Sequence, residues 1–297
     1  MTKIKLQFIL LFISSISFGQ VNDNIFSRLQ AISNNGVDFF NIDGTEITSQ
    51  KIDASFTPKN ISKKFKQLKI KENELIESDS LLGFKNYYVF KSIEEPKGIN
   101  NNISYYFIET SDQKILGFTF TSINKTDKDL ERNFIRLVKD NLIPESVYNN
   151  LQIDNIDFAG RKIPLGGNCH WMGVNNVQCR YYGQMNWSVH KDFDDAIKTV
   201  NNQFESIKSR NNAKIISDTL VNVIFEGTKT TARRVIYDFT GITSALVGMS
   251  GGKTLTIYFV AAPVRQNYVS CVMSFWNNDQ INPSGLAPLL EQVMKLN

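Results

Sequence analysis

Apolar residues recur at every second position through Leu255, Ile257 and Phe259, and again through Val269, Cys271, Met273 and Phe275. That period predicts a pair of strands. After Asn282-Pro283-Ser284-Gly285 the period becomes helical, with Leu286, Leu289, Leu290, Val293 and Met294 on one face of a predicted closing helix. The same pattern occurs earlier, where Ile103 to Thr110 and Ile115 to Ser122 flank Ser111-Asp112-Gln113, and Leu130, Phe134, Leu137 and Val138 then share a helical face. YYFIET aligns with IYFVAA, LGFTFTSIN with CVMSFWN, and FIRLVKDNL with LLEQVMKLN. The alignment predicts two tandem α+β modules, each an antiparallel sheet packed with amphipathic helices.

The remaining segments fill in both halves. Ile25, Leu29 and Ile32 predict a short opening helix stopped at Asn34-Asn35-Gly36, and Phe39 to Ile52 holds two short strands turning at Asp43-Gly44. Lys59 to Lys71 reads as an amphipathic helix with Ile61, Phe65 and Leu68 on its apolar side; Leu75 to Ser78 and Asn86 to Ser92 read as strands. Pro144, just past a helix, marks Leu142-Ile143-Pro144-Glu145 as a linker. Beyond it, Gly166 to His190 is a predicted hairpin turning near Gly173 to Asn176. Phe193, Ile197, Val200, Phe204 and Ile207 form one stripe of a helix over Asp192 to Arg210, and Glu226-Gly227-Thr228-Lys229 turns a hairpin between Val221–Phe225 and Arg234–Phe239. The resulting division is residues 1–19, 20–148 and 149–297.

The first nineteen residues carry Lys3 and Lys5, an apolar run from Phe8 to Ile13 extending to Phe18, and Ser17-Phe18-Gly19 as a small-x-small site. This is the pattern of a cleaved signal peptide, which predicts a secreted or periplasmic protein beginning at Gln20. The apolar run is shorter than the roughly 20 residues that span a bilayer. A leader ending in Phe18-Gly19-Gln20, on a chain rich in Asn, Lys and Ile, resembles exported proteins of the Bacteroidota. At 42% apolar and 21% charged residues the chain has a folded composition, and its formal charge of +4 includes the two leader lysines, so no basic stripe points to nucleic acid.

An exported chain meets an oxidising compartment, and a turn centred on Val174 would set Cys169 opposite Cys179 as a disulfide. Cys271, on an apolar strand face, reads as a buried free thiol. The competing reading is a metal-binding or hydrolytic site in Gly166–His190 built from Cys169, His170, Cys179 and His190. Their spacing matches no zinc pattern, and adjacent Cys169 and His170 point to opposite faces of a strand. No catalytic, cofactor-binding or metal-ligating set is therefore expected, and no cofactor. Gly248 to Thr254 lacks the glycine spacing of a phosphate loop. What that segment offers is Ile242, Leu246, Val247 and Met249 on a loop, and with Trp171 these form the expected contact surface for an envelope protein partner. A further alternative is a small ligand in the cleft between modules, walled by Trp171, Tyr181, Tyr182 and Trp187.

The second half shows a hairpin, a long helix, four antiparallel strands with two hairpin turns, and a closing amphipathic helix, with YFV followed by VMSF. In that order it resembles the PsbP-like fold of bacterial envelope proteins, over residues 156–297 and more loosely 24–148. The resemblance implies a non-catalytic binding or assembly module, not an enzyme, and carries no ligand residues across.

Overall fold

A computed structural model describes residues 24–209, 214–239 and 252–297. The expected leader and the loop residues Ile242, Leu246, Val247 and Met249 lie outside the described residues. The rest is a mostly antiparallel α+β fold with two large sheets.

The first sheet contains β1 (Gln30–Asn34), β2 (Val37–Ile42), β3 (Thr45–Ser55), β4 (Asn86–Glu94), β5 (Asn100–Glu109) and β6 (Lys114–Ile123), in the order β1-β2-β3-β6-β5-β4. Helix α1 (Pro58–Lys64) follows β3, and α2 (Lys128–Lys139) follows β6. Two-residue turns, Asn35-Gly36 and Asp43-Gly44, join the first three strands; all four residues have positive φ, between 50° and 75°, the backbone that matches strand twist. Alternate side chains serve opposite faces. Tyr106, Ile108, Phe118 and Phe120 pack with Phe134 and Ile135 of α2, while Tyr105, Phe107 and Ile115 pack with Ile61 of α1 and with Phe65 just after it. Because helices cover both faces, β5 and β6 are apolar at consecutive positions instead of alternating.

The second sheet contains β9 (Cys169–Gly173), β10 (Asn176–Cys179), β11 (Gly183–His190), β12 (Lys214–Phe225), β13 (Thr228–Asp238), β14 (Thr254–Val264), β15 (Asn267–Trp276) and β16 (Met294–Leu296). Its order is β16-β12-β13-β14-β15-β11-β10-β9. Read from one edge, β4-β5-β6-β3-β2-β1 in the first sheet corresponds to β13-β14-β15-β11-β10-β9 in the second. Helix α3 (Phe193–Lys208) follows β11 as α1 follows β3, and α4 (Pro288–Glu291) follows β15 as α2 follows β6. β12 and β16 are extra strands at one edge. A separate hairpin, β7 (Asn155–Phe158) and β8 (Arg161–Pro164), joins α4 on the face where Met185, Trp187, Tyr258, Val260, Cys271 and Met273 are buried. Arg265 and Arg161 both bind Glu226, and Arg265 Nε donates to Ala159 O at 2.6 Å, which holds the small hairpin to two turns of the large sheet.

Several expected elements are corrected. Ile25, Leu29 and Ile32 do not form a helix: one 3-10 turn, Ile25–Ser27, leads into β1, because Asn35-Gly36 closes a hairpin that pairs Ala31 with Phe40. The Lys-rich helix ends at Lys64 and continues as a 3-10 turn, Lys66–Leu68, stopped by Lys69 at φ 52°. Leu75 to Ser78 is not a strand; Leu75 is a buried anchor in a loop, and Glu77 O accepts from Tyr88 N. The predicted Gly166–His190 hairpin turns where expected but has a second turn at Arg180–Tyr182, giving three strands. The closing helix is a single turn. All five of its apolar residues are buried, yet Met294–Leu296 leaves the helix and pairs with Val223–Phe225, where the open edge of β12 offers ladder partners.

Candidate functional site

The two sheets meet where the Asp43-Gly44 turn reaches the end of β11. Asp43 N donates to Val189 O at 3.1 Å, Lys191 N donates to Asp43 Oδ1 at 2.8 Å, and Arg28 forks onto the same carboxylate at 2.9 and 3.2 Å. Lys125, just after β6, donates to Asp43 O at 2.6 Å and approaches Asp195 of α3 at 3.4 Å. Asn124 Nδ2 donates to Asn202 Oδ1 at 3.1 Å. A side chain at Gly44 would meet Thr199 Oγ1 at 3.0 Å and the His190 ring at 3.1 Å, so this contact closes only around glycine. Asp43→Ala removes the fork and the Lys191 contact together. It is expected to lower stability by about 2 kcal/mol in urea denaturation.

Beside this joint runs a groove. On β11 the residues Met185, Trp187 and Val189 face the core, so Gln184, Asn186 and Ser188 face the side carrying α3. Helix α3 packs Val200 and Phe204 over Val235, Tyr237, Ile257 and Phe259 of β13 and β14, and the outward residues of β11 next to it form the floor. Two hollows of about 380 and 440 Å³ adjoin at Ile123, Asn186 and Gln203. The apolar end of the groove is walled by Ile207, Tyr237, Leu255, Ile257 and Val272. The polar end lies between α3 and the end of β6 and is lined by carboxamides and hydroxyls, with Lys125, Lys198, Asp195 and Glu46. Glu46 keeps contact with solvent, but the surrounding protein pushes its carboxyl above the usual carboxylate range. Asn41 is 5% exposed, and its Oδ1 has no hydrogen-bond partner among the described residues. It lines the polar end.

The residues of the competing metal or hydrolytic reading do not assemble. Cys169 and Cys179 form the disulfide. His170 is exposed on β9, opposite Gln178, while His190 is fully buried at the far end of β11. Among the described residues no three His, Cys, Asp or Glu side chains are grouped so as to hold a metal ion. His190 Nε2 lies 2.9 Å from Ser270 Oγ, the spacing of a base and its nucleophile. The pair has no access, since Ser270 is 2% exposed and His190 0%. Burial, reinforced by Lys125, pushes the imidazole down to about 3, and its Nδ1 has no acceptor among the described residues to orient it. Cys271 is a free, buried thiol whose ionisation burial pushes far up, which leaves it unreactive.

None of the four aromatic residues expected to wall an inter-module cleft lines these two hollows. Trp187 is in the core, and Trp171 is half-buried with its indole N–H donating to Asn150 O at 2.9 Å. Tyr182 packs against the core, and the exposed Tyr181 borders a third hollow, with His170 and Gln178, that shares Gln184, Leu255 and Ser274 with the apolar end of the groove. The groove residues were missed because the alternation Gln184, Asn186, Ser188 shows only that one face of a strand is polar.

No family model matches the chain, and no curated protein matches it. Among solved structures, the apo immunity protein TplEi of the type VI secretion system of Pseudomonas aeruginosa has 7% identity and a TM-score of 0.23, covering 90% of this chain and 97% of its own. The Tle4–Tli4 complex gives 7% identity and a TM-score of 0.26 over 91% and 98%. The di-domain ARO/CYC StfQ of the steffimycin pathway gives 12% and 0.16 over 88% and 76%. Scores this low support no assignment of fold or function.

Proposed function

We propose that this chain is an exported, non-catalytic binding protein made of two tandem α+β modules, residues 20–148 and 149–297, and that it binds its partner in the groove where they meet. The observation that carries the reading is the groove lining: carboxamides, hydroxyls, two lysines balanced by two carboxylates, and an apolar end, while the Ser270–His190 pair is sealed in the core. The matching strand orders of the two sheets support the duplication. The Cys169–Cys179 disulfide supports export. No helix among the described residues is long and apolar enough to cross a membrane. The PsbP-like reading of the second half belongs to the same proposal. The run from β11 through α3 to the four strands β12–β15 supports it, and the one-turn α4 departs from it.

The test is made on the chain secreted from a bacterial host. Its intact mass is expected to begin at Gln20 and to be two hydrogens short, and it is expected to show no turnover of ester, peptide or glycoside substrates. Turnover that disappears in Ser270→Ala or His170→Ala would overturn the non-catalytic reading.

A further inference from the structure

We infer that the groove holds an extended segment of polypeptide from a protein partner, its backbone along β11 and one apolar side chain in the pocket walled by Ile257 and Val272. The inference rests on the binding reading above and names the chemistry of the occupant.

The first reason is repeat distance. Gln184, Asn186 and Ser188 stand two residues apart along one strand, so polar groups follow each other about every 6.7 Å, the repeat of an extended chain. Next comes hydrogen-bonding pattern. A carboxamide presents both donor and acceptor, as a peptide unit does, and Asn186, Asn202 and Gln203 place such groups on floor and wall. Charge gives a third reason. Lys125, Lys198, Asp195 and Glu46 line the polar end, where Asp195 lies 3.4 Å from Lys125 and 3.6 Å from Lys198. The lining is balanced and favours a neutral ligand over an anion or cation. No aromatic ring among the described residues lines the polar end, so a flat ligand held by stacking finds no platform there. Finally, the apolar end adjoins the polar one through Asn186 and Gln203, which suits a chain whose side chains alternate in polarity.

The experiment selects a phage-displayed library of random linear peptides on the full chain with its disulfide intact. Enriched peptides are titrated against wild type, Asn186→Ala and Gln203→Ala, and thermal melting verifies that each variant is folded. Gln203, half-exposed on α3, remains informative if Asn186→Ala fails to fold. The expected result is a common apolar residue among the enriched peptides and a Kd raised about tenfold or more in both folded variants. Peptides that bind the variants as tightly as wild type would overturn the groove assignment while leaving the binding function intact. Failure to enrich any peptide would overturn the polypeptide assignment, and the mass and turnover measurements would still decide the proposed function separately.

Discussion

Acidification from about pH 7 to about pH 4 is expected to remove about 3 kcal/mol of stability through one residue, His190. The side chain is fully buried between the end of β11, β15 and the Asp43-Gly44 turn. Burial first, then Lys125 and Arg28, hold its imidazole down to about 3 from an ordinary value of 6.5, against the opposing pull of Asp195 and Asp192. Above pH 6.5 the ring is neutral in both states, and its contribution is fully present. Between the two values the unfolded chain binds a proton that the folded chain refuses, so stability falls as pH falls. Carried down to the folded-state value the loss approaches about 5 kcal/mol, at about 1.4 kcal/mol per pH unit. The measurement is urea denaturation of wild type and His190→Asn across this range, because the difference between them cancels the carboxylates. The wild-type slope is expected to exceed the variant's between pH 6.5 and 4; parallel slopes would show that His190 does not titrate in this way. Since His190 packs against Gly44, its protonation is expected to loosen the joint between the sheets before either core melts.

Reduction of the Cys169–Cys179 bond is expected to cost about 3 kcal/mol, the chain-entropy value for a loop of this size; ten residues separate the two cysteines. The bond ties β9, the edge strand of the second sheet, to β10, where Cys179 is 3% exposed and packs into the core. Cys169→Ser together with Cys179→Ser is expected to lower the urea midpoint and to raise hydrogen exchange in β9 selectively, because β10 and β11 keep their own ladder and the Gln184–Asn176 bond at 2.9 Å. Coincident midpoints with and without reductant would show that the ladder alone fixes this edge.

Local pattern determined a great deal about this protein. Period-two runs placed β5, β6, β14 and β15 within a few residues, since their alternation or continuous apolarity reflects which faces are buried. Apolar stripes placed the longer helices, and in the structure Asp127 and Asp192 accept from free amides in their first turns. The turn at Val174 fixed the disulfide partners. In the short segments the same reasoning erred. Ile25, Leu29 and Ile32 fit a helix by spacing, but the Asn35-Gly36 turn offers β1 a ladder partner that a lone turn of helix lacks. Met294 fits the closing helix equally well, yet the free edge of β12, distant in sequence, captures its backbone.

The groove depended wholly on tertiary structure. That β11 has a polar face is written in Gln184, Asn186 and Ser188. That α3 packs over β13 and β14 and leaves this face open follows from the order of strands in the sheet, set by pairings between residues some eighty positions apart, such as Trp187 with Cys271. The opposite wall, Asn124 and Lys125, comes from the other half of the chain and is placed by the Asp43 contacts. A periodic pattern reports which residues are buried together with their neighbours in sequence. It holds no term for what a second sheet brings alongside, and that is where this protein's accessible chemistry lies.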